Sequence, residues 1–172
     1  MNWLKRLVGC KEESLQAQID NLNSQIESLK AQISKMSIQP VLVQPSILGK
    51  ISMAEVNAIL SSQTNVIFIS DETFQTTSQD QASKFTDSTR VAYRKWVEED
   101  HDCDNFSFAL MGYWSDELKS FPFGIAWSEN HAFNFMIDSN KQLWIIEPQT
   151  NEWTKIEQVT NPIYKNWRFA MC

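Results

Sequence analysis

Cys103 stands in "DHDCDNFSFALMGYW", residues 100–114, between two aspartates and at the start of a run that reads as a helix. Further on, His131 opens "HAFNFMID", and Glu147 and Gln149 follow in "LWIIEPQTNEW". A cysteine becomes a nucleophile when its thiolate is stabilised, by the unpaired amides of a helix N-terminus or by an imidazole that takes its proton. A third group must then orient the imidazole, and either Glu147 or Gln149 could do so from the strand after His131. The blander readings are a small buried cysteine and a structural histidine at a strand edge. The flanking aspartates work against activation, because negative charge nearby raises a thiol pKa. A cation would cancel that effect. Asp102, Asp104 and Asn105, with Gln149 and Asn151 across the site, are hard oxygen donors suited to calcium or manganese. Helix capping accounts for Asp102 and Asp104 without a metal, but not for "EPQTN".

These groups need a helix under Cys103 and strands under His131 and Glu147. The pattern predicts a helix from Cys103 to about Trp114. After Pro122, "FGIAW", "HAFNFMID" and "QLWIIEP" read as short strands, with "SEN" and "DSNK" as turns. "NEWTKIEQV" and "IYKNWRFAMC" add one or two more. Earlier in the chain, Ser52 and Glu55 have capping-box spacing and predict a short helix to about residue 61. "NVIFIS" reads as a buried strand, residues 75–83 as a polar loop, and "DSTRVAYRKWVEED" as a helix over about 87–99. Helices followed by an antiparallel sheet give an α+β domain.

The clearest periodicity lies before it. Leu15, Ile19, Leu22, Ile26, Leu29, Ile33 and Met36 are spaced alternately four and three apart, an unbroken heptad seam with isoleucine at a and mostly leucine at d. So thin a stripe gains little by folding alone, so residues 12–36 are expected to self-associate as a coiled coil. Isoleucine at a with leucine at d favours two strands. The e and g positions, Gln16, Gln18, Asn23, Gln25, Lys30 and Gln32, are almost uncharged and leave a trimer open. Pro40 and Pro45 in "SIQPVLVQPS" end the helix. The expected organisation is an oligomerisation segment over 1–36, a proline-containing linker over 37–49 and an α+β domain over 50–172.

The chain has 172 residues and a net charge of −6 with no basic block, which argues against nucleic acid. No run approaches the ~20 apolar residues of a membrane span. Cys10, Cys103 and Cys172 are odd in number and far apart, which indicates free thiols in a reducing compartment. "LVGC" before Cys10 resembles a lipoprotein box, but the apolar stretch ahead of it is shorter than the roughly 7–15 residues of a signal-peptide core.

Together, "DCDNFSFALMG", "FGIAWSENHAFNFMID" and "LWIIEPQTNEW" resemble the papain-like domain at the C-terminus of certain fungal agglutinins, and related small bacterial and bacteriophage proteins. The likeness covers about residues 50–156. It implies a cysteine-peptidase-like fold with Cys103 as nucleophile, His131 as base and Glu147 as orienting acid. It also implies a divalent cation held by Asp104 and Gln149, with Asn105 and Asn151. This chain departs from that pattern in having asparagine at two expected acidic positions, and a coiled coil where the fungal proteins carry a β-trefoil. Two functions follow as expectations. One is a thiol hydrolase or peptidase. The other is a non-catalytic virion structural, decoration or host-attachment protein that binds glycan with the same fold. The first places the chain in a reducing cytoplasm, the second on a virion.

Overall fold

The computed structural model describes residues 15, 16, 18–30, 41–98, 100–118 and 120–172. The chain divides into two units, Met1–Gln39 and Pro40–Cys172. In the first, residues 15–16 and 18–30 are helical (α1). Their seam residues Leu15, Ile19, Leu22, Ile26 and Leu29 are 47–57% exposed. Gln16 bonds Asp20 and Lys30 pairs with Glu27 on the polar faces. Ile33, Met36 and Cys10, and with them the ends of the expected coiled coil, lie outside the described residues.

The second unit is α+β. Its elements run β1 (Gly49–Ser52), α2 (Met53–Leu60), β2 (Ile67–Phe68), β3 (Thr73–Thr76), α3 (Gln79–Ser88), α4 (Cys103–Glu117), β4 (Phe123–Trp127), β5 (Ala132–Ile137), β6 (Leu143–Glu147), β7 (Glu152–Lys155) and β8 (Phe169–Met171), with three short 3₁₀ turns. Six strands form one sheet in the order β2-β8-β4-β5-β6-β7, antiparallel except for the β2–β8 pair. β1 and β3 form a separate antiparallel pair.

β5 is buried along its whole length, so its alternation feeds two cores. Phe133, Phe135 and Ile137 point to one face, where Val56 and Leu60 of α2, Ile145 and Trp167 pack. Met136 points to the other, where α4 lays Phe106, Leu110 and Trp114 against Phe123 and Ile146. The stack of Trp114 on Phe123, with centroids 4.4 Å apart, fixes how far α4 slides along the sheet.

The capping box at Ser52 and Glu55 forms as the sequence indicates, with Glu55 Oε2 accepting the Ser52 N–H at 2.9 Å. "DSNK" forms the β5–β6 turn, in which Asp138 Oδ1 accepts the N–H groups of Asn140 and Gln142 and Lys141 has a φ of 59°. Three local expectations need correction. The expected polar loop over 75–83 holds the end of β3 and the start of α3, whose N-cap Ser78 accepts the Gln81 N–H. The expected helix over 87–99 is absent from the described residues of that span: α3 ends at Ser88, Arg90 takes a left-handed φ of 59°, and only a 3₁₀ turn over Val91–Tyr93 follows. "NVIFIS" supplies two strand residues at a sheet edge, with Phe68 58% exposed, rather than a buried strand.

Candidate active site

α4 begins at Cys103. Asn105 Oδ1 turns back to accept the Asp102 N–H at 3.1 Å, and Phe106 N–H donates to Asp102 O, so the helix start is fixed by its own residues. One turn on, Ser107 Oγ donates to Cys103 O at 2.8 Å. Asn134 of β5 then ties this turn to the sheet, its Nδ2 donating to Ser107 O (3.0 Å) and to Gly124 O (3.1 Å). The Cys103 thiol is half-buried at the positive end of the helix dipole. Asp104 is held above the usual carboxylate range, first by its hydrogen bond with Asp102, then by desolvation and the Asp102 charge.

His131 immediately precedes β5, and Glu147 ends β6. The antiparallel register sets Asn134 opposite Ile146, which brings the two side chains to neighbouring positions at one end of the sheet. His131 Nε2 and Glu147 Oε2 are 2.7 Å apart, with side chains only 15% and 11% exposed. Glu147 Oε2 also accepts the Tyr164 hydroxyl at 2.8 Å, and Oε1 accepts the Gln149 N–H at 3.2 Å. A carboxylate accepts and does not donate, so Nε2 carries the proton and Nδ1 is the basic nitrogen. Nδ1 makes no hydrogen bond among the described residues.

Of the three residues the sequence singles out, His131 and Glu147 are brought into contact. Cys103 lies toward the same end of the sheet, since Ser107 bonds Asn134 and Phe108 packs on Trp127 at 5.4 Å. The thiol makes no hydrogen bond to the imidazole. α4 packs on Met136 and is tied to Asn134, while the His131 ring stacks on Phe133. Thiol and imidazole therefore share an end of the sheet.

The four residues expected to hold a cation fit one poorly. Asn105 Oδ1 is engaged by the Asp102 N–H, and Asn151 Oδ1 by the Trp153 indole at 3.3 Å, while the Asn151 amide nitrogen turns to Asp87. Gln149 contributes a main-chain N–H to Glu147. Asp104 is the one charged donor of the four, and a calcium site wants six to eight oxygens with several carboxylates. No cluster of three or more His, Cys, Asp or Glu residues suited to a metal occurs among the described residues.

Two site residues escaped the sequence reading. Asn134 was visible as an amide inside a wholly apolar strand. Tyr164, in "NPIYKNW", carries no such mark. A second thiol, Cys172, is buried, and burial followed by the Asp71 charge pushes it up to about 12.

No family model matches the chain, and no curated protein matches it. Solved structures do. One, described as a "PSL1a-E64 complex", is 20% identical with a TM-score of 0.59. Another is a Polyporus squamosus lectin bound to the human-type influenza-binding epitope Neu5Aca2-6Galb1-4GlcNAc, also 20% identical, with a TM-score of 0.57. Each match covers 72% of this chain and 51% or 49% of the other, so this chain spans about half the length of the structures it matches. At that identity the likeness is one of fold: the chain shares an α+β fold with part of these structures.

Proposed function

We propose that the unit Pro40–Cys172 is a papain-like domain with a thiol-hydrolase site made by Cys103, His131 and Glu147. The observation that carries this reading is the 2.7 Å contact of His131 Nε2 with Glu147, which leaves Nδ1 as the proton acceptor at the end of the sheet toward which α4 presents Cys103. Cys103 Sγ attacks an acyl carbon and its proton passes to Nδ1. The leaving group then takes that proton, and water attacks the thioester with His131 as base, releasing the acid and the thiol. Glu147 holds the ring and stabilises the imidazolium. No step is routed through a metal.

The test is alkylation. The neighbour described as a complex with E64, a thiol-reactive epoxide, supports asking for the same reaction here. In a Cys10→Ser protein at pH 7.5, intact-mass and peptide analysis should show one adduct, at Cys103, while Cys172 stays unmodified because its proton is held to about 12. Cys103→Ala should remove the adduct. A native protein whose Cys103 resists both this epoxide and iodoacetamide, while the denatured protein takes them, would leave only a structural thiol.

A second reading is a non-catalytic glycan-binding head, on a virion or another assembly. The lectin bound to a sialylated epitope favours it, and the comparisons weigh more on this side than on the catalytic one. Because the chain spans half of that lectin, the glycan site does not transfer residue by residue. Titration of the protein with α2-6 sialyl-lactosamine, in wild type and Cys103→Ala, separates the two: binding without alkylation supports the head, and alkylation without binding supports the hydrolase.

Either reading goes with self-association through residues 12–36. The support is the half-exposed seam Leu15, Ile19, Leu22, Ile26 and Leu29 on one helix. Ile26→Asp should convert the oligomer to monomer in sedimentation, and an unchanged mass would remove the coiled coil.

A further inference from the structure

Building on the thiol-hydrolase reading, we infer that Tyr164 is a positioning residue of the site, one that sets the orientation of His131 through Glu147. Its hydroxyl donates to Glu147 Oε2 at 2.8 Å, the same oxygen that meets His131 Nε2 at 2.7 Å. The phenol thus fixes the carboxylate from one side while the imidazole docks from the other. Its ring also touches the imidazole edge-on, with centroids 5.5 Å apart, and stands perpendicular to Phe133 at 5.2 Å.

Tyr164 is itself held. It closes a 3₁₀ turn over Pro162–Tyr164, whose Asn161 side chain accepts the Ile163 N–H. Trp167 Nε1 donates to Tyr164 O at 2.8 Å, and the Trp167 ring packs on Phe133 and Phe135 in the core. The hydroxyl is therefore anchored to the sheet rather than to a loose loop. Burial and the neighbouring Glu147 raise the phenol above its ordinary pKa, so it remains a donor throughout the working range. Tyr164 also lines an open cleft of about 460 Å³ with Gln63, Glu157 and Lys165.

A shared carboxylate oxygen divides its charge between two donors. With the phenol removed, Glu147 Oε2 is left to the imidazole N–H alone, and that hydrogen bond tightens. Orientation suffers too, because one of the three donors that fix the carboxylate is gone.

The experiment is Tyr164→Phe, which keeps the ring, compared with Lys165→Ala on the same cleft as the control. Two quantities are read: the NMR resonance of the His131 Nε2–H proton, which reports its hydrogen bond to Glu147, and the rate of Cys103 alkylation by the epoxide. In Tyr164→Phe the Nε2–H resonance should move downfield, because Oε2 is left with one side-chain donor, and the alkylation rate should fall by about tenfold, the size of one hydrogen bond to a charged group. Lys165→Ala should move neither. An Nε2–H resonance that is the same in Tyr164→Phe and wild type, with thermal stability preserved, overturns the inference even where Cys103 reacts normally. A shifted resonance in a protein whose Cys103 never reacts upholds the role of Tyr164 in positioning the pair and removes the hydrolase.

Discussion

His131→Ala is expected to slow alkylation of Cys103, and any acyl transfer it performs, by on the order of a thousandfold, the usual worth of a positioned general base. The loss should come with little loss of fold. The imidazole sits ahead of β5 and is 15% exposed, and its removal leaves Phe133 packed on Tyr164 and Trp167. Glu147 would still be anchored by Tyr164 and by the Gln149 N–H. Measuring the alkylation rate of both proteins separates two cases. A His131→Ala protein that keeps the wild-type rate would show that the thiol is activated by the helix terminus alone, and the pairing of His131 with Glu147 would then be architecture.

Gly124→Ala should have the largest effect on stability. A methyl group at that position would meet Met171 O at 2.1 Å, the Phe135 ring at 2.6 Å and Cys172 Cβ at 2.8 Å. Two of those atoms belong to the last residues of the chain and the third to the middle of the core, and main-chain oxygen cannot rotate away. The strain can be relieved by lifting β8 from β4, at a cost of about 3 kcal/mol or more. The urea midpoint should fall accordingly, and Cys172, protected in the wild type, should become open to iodoacetamide. A variant with an unchanged midpoint and a protected Cys172 would mean that β8 does not pack on β4 as closely as described.

Much of the site's scaffold was legible because its signals are local. The strands around "SEN" and "DSNK" follow from apolar runs broken by turn residues, and α4 from the cap at Asp102 and the row Phe106, Leu110, Trp114. One hairpin narrows the partner of His131 to Glu147 or Gln149, and the resemblance, not the register, singles out Glu147. The region between residues 65 and 99 was misread for a physical reason. α3 buries only Ala82, Phe85 and Thr86, too narrow a stripe to stand out, whereas "RVAYRKW" looks amphipathic although Tyr93 is 70% and Trp96 48% exposed. Periodicity there reports exposed apolar groups, and the left-handed Arg90 is not predictable from its type. Tyr164 was missed because its partner lies across the sheet, where no spacing rule reaches. How near Cys103 comes to His131 likewise depends on how α4 docks, which the pattern of neither element encodes.

The parallel pairing of β2 with β8 carries a kinetic implication. Ile67 stands opposite Ala170, and Cys172 exchanges hydrogen bonds with both Phe68 and Ser70. Bridging about a hundred residues is entropically slow, and it follows rather than leads the hairpins of β4 to β7, which close locally. Refolding should therefore proceed in two stages, with the β5–β6 hairpin that carries His131 and Glu147 assembled early and the sheet margin zipped late. During that interval the outer edge of β4 is bare, a template for strand exchange between neighbouring copies.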